Sequence, residues 1–125
     1  MKMRLTIGTH KLTATLADNS SVRALTAKLA EGPVTLDLED YAHMEKVGPL
    51  GFALPTNDES TTTGPGDLIL YLGTQFVIYY DRNSWSFTRL GHIDGVGADE
   101  LRRILGRRGV RVTLALVDDG EGAVA

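Results

Sequence analysis

The sequence predicts a mainly β fold, an antiparallel barrel or closed sheet capped by two short helices. Three observations predict it. Apolar and polar residues alternate in several short segments, the period of a half-buried strand. The connections between these segments are mostly short and hairpin-like, with Gly at the turns. Only two stretches carry helical spacing, so strands dominate the order of elements.

Met3, Leu5 and Ile7 alternate with Arg4 and Thr6. Leu12, Ala14 and Leu16 do so with Thr13 and Thr15, and Gly8-Thr9-His10 between them reads as a hairpin turn. A helix follows. Asn19 or Ser20 caps it by accepting from free amide N–H groups, and Val22, Leu25 and Leu29 share one face. Gly32-Pro33 ends it, because Gly permits positive φ and Pro lacks an N–H. Val34, Leu36 and Leu38 give a third strand. Residues 41–55, YAHMEKVGPLGFALP, contain two Gly and two Pro and no clean period, which predicts irregular structure or a short turn. Residues 56–66, TNDESTTTGPG, read as a polar surface loop. Asp67–Leu72 and Gln75–Tyr80 are two apolar strands around a Gly73-Thr74 hairpin turn. Trp85–Ile93 is another strand, bent at Gly91. Ala98–Leu105 is a short helix with acids at its start and Gly106 at its stop. Val110, Val112, Leu114 and Leu116 alternate into a last strand. The expectation is one domain over residues 1–117, with a frayed tail over 118–125.

The 125 residues are enough to bury a core without a staple. There is no Cys, which excludes disulfides and thiolate chemistry and suits a reducing compartment. The formal net charge of −3 gives no bulk attraction to nucleic acid or anionic lipid. No stretch reads as a signal peptide or a membrane span, so the expectation is a soluble cytoplasmic protein.

The order of elements resembles the cyclophilin fold, a closed eight-stranded barrel with a helix at each end. Gly66-Asp67-Leu68, followed by Gly73-Thr74-Gln75-Phe76-Val77-Ile78, is similar to the cyclophilin hairpin that carries a Gly-Ser-Gln-Phe-Phe-Ile motif. Trp85 falls where that family has a pocket Trp. Leu90-Gly91-His92-Ile93-Asp94-Gly95 is similar to the segment before the family's second helix. The whole chain resembles the small bacterial cyclophilin-like proteins, which share the barrel without an agreed function. The resemblance implies a barrel of about eight strands and a ligand site to which Gln75 and Trp85 carry over. It departs at the catalytic Arg of cyclophilins, since the third strand, VTLDLEDY, has none. The second Phe of the hairpin motif is Val77, and the family's His after the Trp is replaced by Phe87.

Strand parity extends the site. Trp85, Phe87 and Arg89 share a face, as do Gln75, Val77 and Tyr79. These six predict a concave site, closed by Phe52 or His43, with Arg89 the candidate donor for prolyl isomerisation. The same parity also allows the apolar members to fill the barrel, with Arg89 at its mouth.

Other chemistry has less behind it. His10, His43 and His92 lack metal-ligand spacing, so no metal is expected, and no cofactor either. Gly95-Val96-Gly97 is only a fragment of a dinucleotide fingerprint. Asp37 and Glu39 read as a solvated face, and Glu45-Lys46 either orients a ligand or forms a surface ion pair. Arg102, Arg103, Arg107, Arg108 and Arg111 read as a solubilising, dipole-complementing cluster rather than a nucleic-acid grip. The leading expectation is a binding module for a small molecule or short peptide, with little or no isomerase activity. A weak prolyl isomerase with Arg89 or Arg82 as donor is the alternative, and a self-filling structural barrel is the third reading.

Overall fold

Alternating apolar residues on eight strands turn inward and meet around a single closed sheet. The computed structural model describes residues 1–117; the tail expected over 118–125 lies outside the described residues. The strands are β1 (Lys2–Ile7), β2 (His10–Leu16), β3 (Val34–Tyr41), β4 (Glu45–Pro49), β5 (Glu59–Thr63), β6 (Asp67–Tyr71), β7 (Gln75–Tyr79), β8 (Asn83–Ile93) and β9 (Val110–Val117). The helices are α1 (Ser20–Ala30) and α2 (Ala98–Leu105). The ladder runs β2-β1-β9-β3-β4-β7-β6-β8, and β2 pairs with β8 to close an antiparallel barrel of eight strands. The ninth strand, β5, lies outside the barrel against the first half of β8.

Met3, Leu5, Leu36, Leu38, Leu68, Leu70, Phe76, Ile78 and Leu114 fill the interior, each almost without exposure. Helix α1 closes one side with Val22, Leu25 and Leu29. Its cap is Asn19, whose side-chain oxygen accepts from the Val22 N–H at 2.9 Å. The Asn19 amide also donates to the Arg89 carbonyl, so the cap ties the helix to β8. Helix α2 buries Leu101 and Leu105 and stops at Gly106, φ 72°.

Gly91 has a steric role at the barrel seam. It pairs with Leu16, and a Cβ placed on it would come 2.4 Å from the Thr15 carbonyl oxygen. Just before it lies a β-bulge. Asp67 and Leu68 pair with His92 and Gly91, whereas Ile69 and Leu70 pair with Arg89 and Thr88, leaving Leu90 extra. The extra residue points Arg89 and His92, three apart, to the same side.

Two sequence expectations are corrected. The irregular stretch 41–55 contains strand β4, and the predicted 56–66 loop contains strand β5. β4 escapes pattern reading because its inward position is Lys46. The Lys46 ammonium is wholly buried and bonds Asp40 at 3.1 Å and the Arg108 carbonyl at 2.7 Å. β5 escapes because ESTTT has no apolar alternation; pairing with β8 makes it a strand. The β6–β7 connection is also longer than expected, with Leu72 in the left-handed region beside Gly73.

Candidate functional site

The outward residues of β6, β7 and β8 build a second apolar cluster, outside the barrel. Ile69, Val77, Tyr79 and Phe87 are buried there, with Val47 and Tyr71 packed against them. Strand alternation puts them opposite Leu68, Leu70, Phe76 and Ile78, which belong to the interior. The Tyr79 and Phe87 rings are tilted at 45° with centroids 5.7 Å apart.

This cluster floors a concavity of about 450 Å³, within the range of ligand sites. The β3–β4 hairpin contributes Tyr41, Met44, Glu45 and Val47 to one wall. β8 contributes Asn83 and Trp85 to another. The first half of β8 pairs with β5 while its second half joins the barrel, and this leaves Trp85 at the rim, 62% exposed. Tyr41, on the facing wall, is 58% exposed. The turn that carries Tyr41 is strained. Ala42 and His43 both have φ 54°, a conformation better suited to Asn-Gly, and Met44 N–H closes the turn on the Tyr41 carbonyl at 3.1 Å.

Glu45 is the one acidic or basic side chain on the lining, and it is buried. It stands opposite Tyr79 in the β4–β7 ladder. Burial pushes its carboxyl up from the usual range, the Tyr79 hydroxyl bonded to it pulls back, and the Asp40 charge adds to the rise. Burial likewise pushes the Tyr79 hydroxyl up to about 12, so it remains a neutral donor. Tyr79 also accepts from the Asn83 amide at 3.1 Å. A polar line therefore runs from Asn83 through Tyr79 to Glu45 along one side of an otherwise apolar hollow. Lys46 points through the sheet to the opposite side, so the surface ion pair considered for Glu45-Lys46 is not formed.

The residues expected from parity divide. Val77, Tyr79, Trp85 and Phe87 come together around the concavity. They lie on the outside of the barrel, not in its interior. Gln75 sits half-buried at the far end of β7, paired with Pro49 and Tyr71, and does not line the hollow. Arg89 shares the outward face but its guanidinium bonds the Asp67 carboxylate at 3.0 Å, away from the lining. Phe52 packs on the barrel core beneath the Lys28 ammonium, 5.5 Å from its ring centroid. His43 borders a separate hollow with Tyr80, Arg102, Arg103 and Arg107. Neither Phe52 nor His43 closes the aromatic concavity.

Tyr41, Met44, Val47, Tyr71 and Asn83 were not singled out from sequence. Tyr71 and Asn83 were within reach, since they share parity with Ile69 and Trp85; Tyr41, Met44 and Val47 needed the β3–β4 hairpin to be recognised. Among the described residues no three acidic or His side chains gather as a metal centre requires. No helix among them is long and apolar enough to cross a membrane.

A family model described as the cyclophilin-like family matches residues 5–115. The chain belongs to the cyclophilin-like family. A structure with the same fold is the solution structure of a hypothetical protein from Archaeoglobus fulgidus. It is similar to this cyclophilin-like chain with a TM-score of 0.63 and 14% identity, over 94% of this chain and 95% of that one. At that identity the likeness is one of fold. No curated protein matches the chain.

Proposed function

We propose that this cyclophilin-like protein is a binding module that holds a small molecule or a short peptide in the outer-face concavity. The observation that carries the reading is a buried apolar floor with two exposed aromatic rims, Tyr41 and Trp85, facing across it. Exposed large aromatics around a concave apolar floor are surface that a ligand can cover with a gain in free energy.

Little or no prolyl isomerase activity belongs to the same reading. The chemistry needs a donor aimed at the proline amide as its resonance breaks, against a barrier of about 18–20 kcal/mol. The third strand, VTLDLEDY, carries no Arg, and Arg89 is engaged by Asp67. The polar groups lining the concavity are Glu45, Asn83 and tyrosine hydroxyls.

The test is a pair of NMR measurements with a proline-containing peptide. Amide and Trp85 indole shifts report binding, and cis–trans exchange reports turnover. Uncatalysed exchange takes roughly tens of seconds, so acceleration into milliseconds is unambiguous. Shifts at Trp85, Val77 and Tyr79 without exchange are expected. Exchange that vanishes in Arg89→Ala would establish the isomerase instead.

A further inference from the structure

We propose that the outer-face concavity takes an organic cation, an alkylammonium head group, with Glu45 as its charge partner and Tyr41, Tyr71, Tyr79 and Trp85 as its aromatic walls. This rests on the concavity being a ligand site, and it names the chemistry of the ligand.

The first ground is an uncompensated acid. Glu45 lies on the outward face of β4, on the same side as Val47, and its neighbours across the hollow are Val77, Tyr79 and Phe87. A carboxylate among apolar groups is costly unless it is paired. Among the described residues none of the cationic side chains pairs with Glu45. The adjacent Lys46 is on the other side of the sheet, bound to Asp40 and the Arg108 carbonyl. On its own side Glu45 meets the Tyr79 hydroxyl, which bonds it, while the charge of Asp40, held with Lys46 on the other side of the sheet, opposes its ionisation. A neutral ligand would deepen the burial of this acid without compensating it, and an anion would add to the repulsion. A cation supplies what the site lacks.

The second ground is independent of charge pairing. Five of the ten lining residues are aromatic, and none is Lys, Arg or His. Aromatic faces attract cations through their quadrupole, most strongly for Trp and Tyr and where water is excluded. Aromatic boxes that include an acid are suited to alkylated ammonium groups, whose methyl or methylene shell also gains from apolar contact.

The experiment compares choline with 3,3-dimethylbutan-1-ol, which has the same shape and no charge. Trp85 indole and backbone amide shifts are followed during titration of the full chain. The expected result is at least tenfold tighter binding of choline. Glu45→Gln should cut that preference several-fold, leaving the part due to the aromatic walls, while the neutral alcohol still binds and native amide dispersion is retained. Tyr41→Ala, at the exposed rim, should weaken choline several-fold and serves should Glu45→Gln fail to fold. Nα-acetyl-lysine methylamide distinguishes the source of the head group: tighter binding than choline assigns it to a peptide side chain, weaker binding to a free small molecule. Equal or tighter binding of the neutral alcohol would overturn the cation and leave the binding site standing. Absence of shifts with all three probes would overturn both.

Discussion

Arg89 and His92 converge on one oxygen of Asp67, at 3.0 Å and 2.8 Å. Residues three apart on a regular strand point to opposite faces; the bulge at Leu90 brings these two together. The other Asp67 oxygen accepts from the Gly64 N–H at 2.9 Å. One buried carboxylate thus fixes the β5–β6 turn, the bulge in β8 and the direction of Arg89. Asp67→Ala should lower stability by about 2–4 kcal/mol in urea unfolding, since it strands several donors. Arg89→Ala, with its partly exposed guanidinium, should lose about 1 kcal/mol or less and leave ligand affinity unchanged. A large affinity loss in Arg89→Ala would place that residue in the site after all.

Buried Lys46 pairs with a partly buried Asp40, whose carboxylate also accepts from the Tyr80 hydroxyl. Lys46→Met should cost about 3–5 kcal/mol, because it removes one partner and leaves the other poorly compensated. The double variant with Asp40→Leu should be less destabilised than the sum of the single changes, as a double-mutant cycle would read.

Asp40 gives this pair an acid dependence. Burial raises its carboxyl, but the hydrogen bonds from Tyr80 and Lys46 outweigh it and hold the group below its ordinary 3.8. The native state therefore takes up this proton less readily than the unfolded chain. The stabilisation is full above the unfolded value and is lost as pH falls through the lower folded one. Urea midpoints should drop below about pH 4, and the drop should be shallower in Asp40→Asn.

Glu45 has the opposite sign. Its folded value lies above the unfolded 4.5, so ionisation penalises the native state above the folded value, and the penalty disappears on acidification below 4.5. Glu45→Gln should raise the urea midpoint at pH 7 more than at pH 4. An equal effect at both would mean that the carboxylate is compensated by a group outside the described contacts.

Gly91→Ala should destabilise by about 2–3 kcal/mol or prevent barrel closure, because the new methyl meets the Thr15 backbone rather than a movable side chain. Thermal unfolding by circular dichroism measures it. Ala42→Asn with His43→Gly should act in the other direction, gaining about 1 kcal/mol by relieving two left-handed residues.

The sequence by itself determined the barrel class, both helices and the faces of the strongly alternating strands. Met3, Leu5 and Ile7, or Leu68 and Leu70, reveal their side by period alone, because side-chain direction in a strand is a local property. It also assembled four of the lining residues, Val77, Tyr79, Trp85 and Phe87, by the same parity. Only the tertiary structure decided which side of the sheet was the hollow. An outward apolar cluster and an inward one have the same spacing, and the difference lies in where the ladder closes, through residues 14–16 against 91–93. β4 and β5 were illegible for related reasons. Lys46 occupies an interior position because a distant acid and a distant carbonyl receive it. ESTTT is extended because β8 supplies its hydrogen bonds. Arg89 had the right face but the wrong destination: parity gives a side chain its side of the sheet, and the partner at Asp67 decides where on that side it ends.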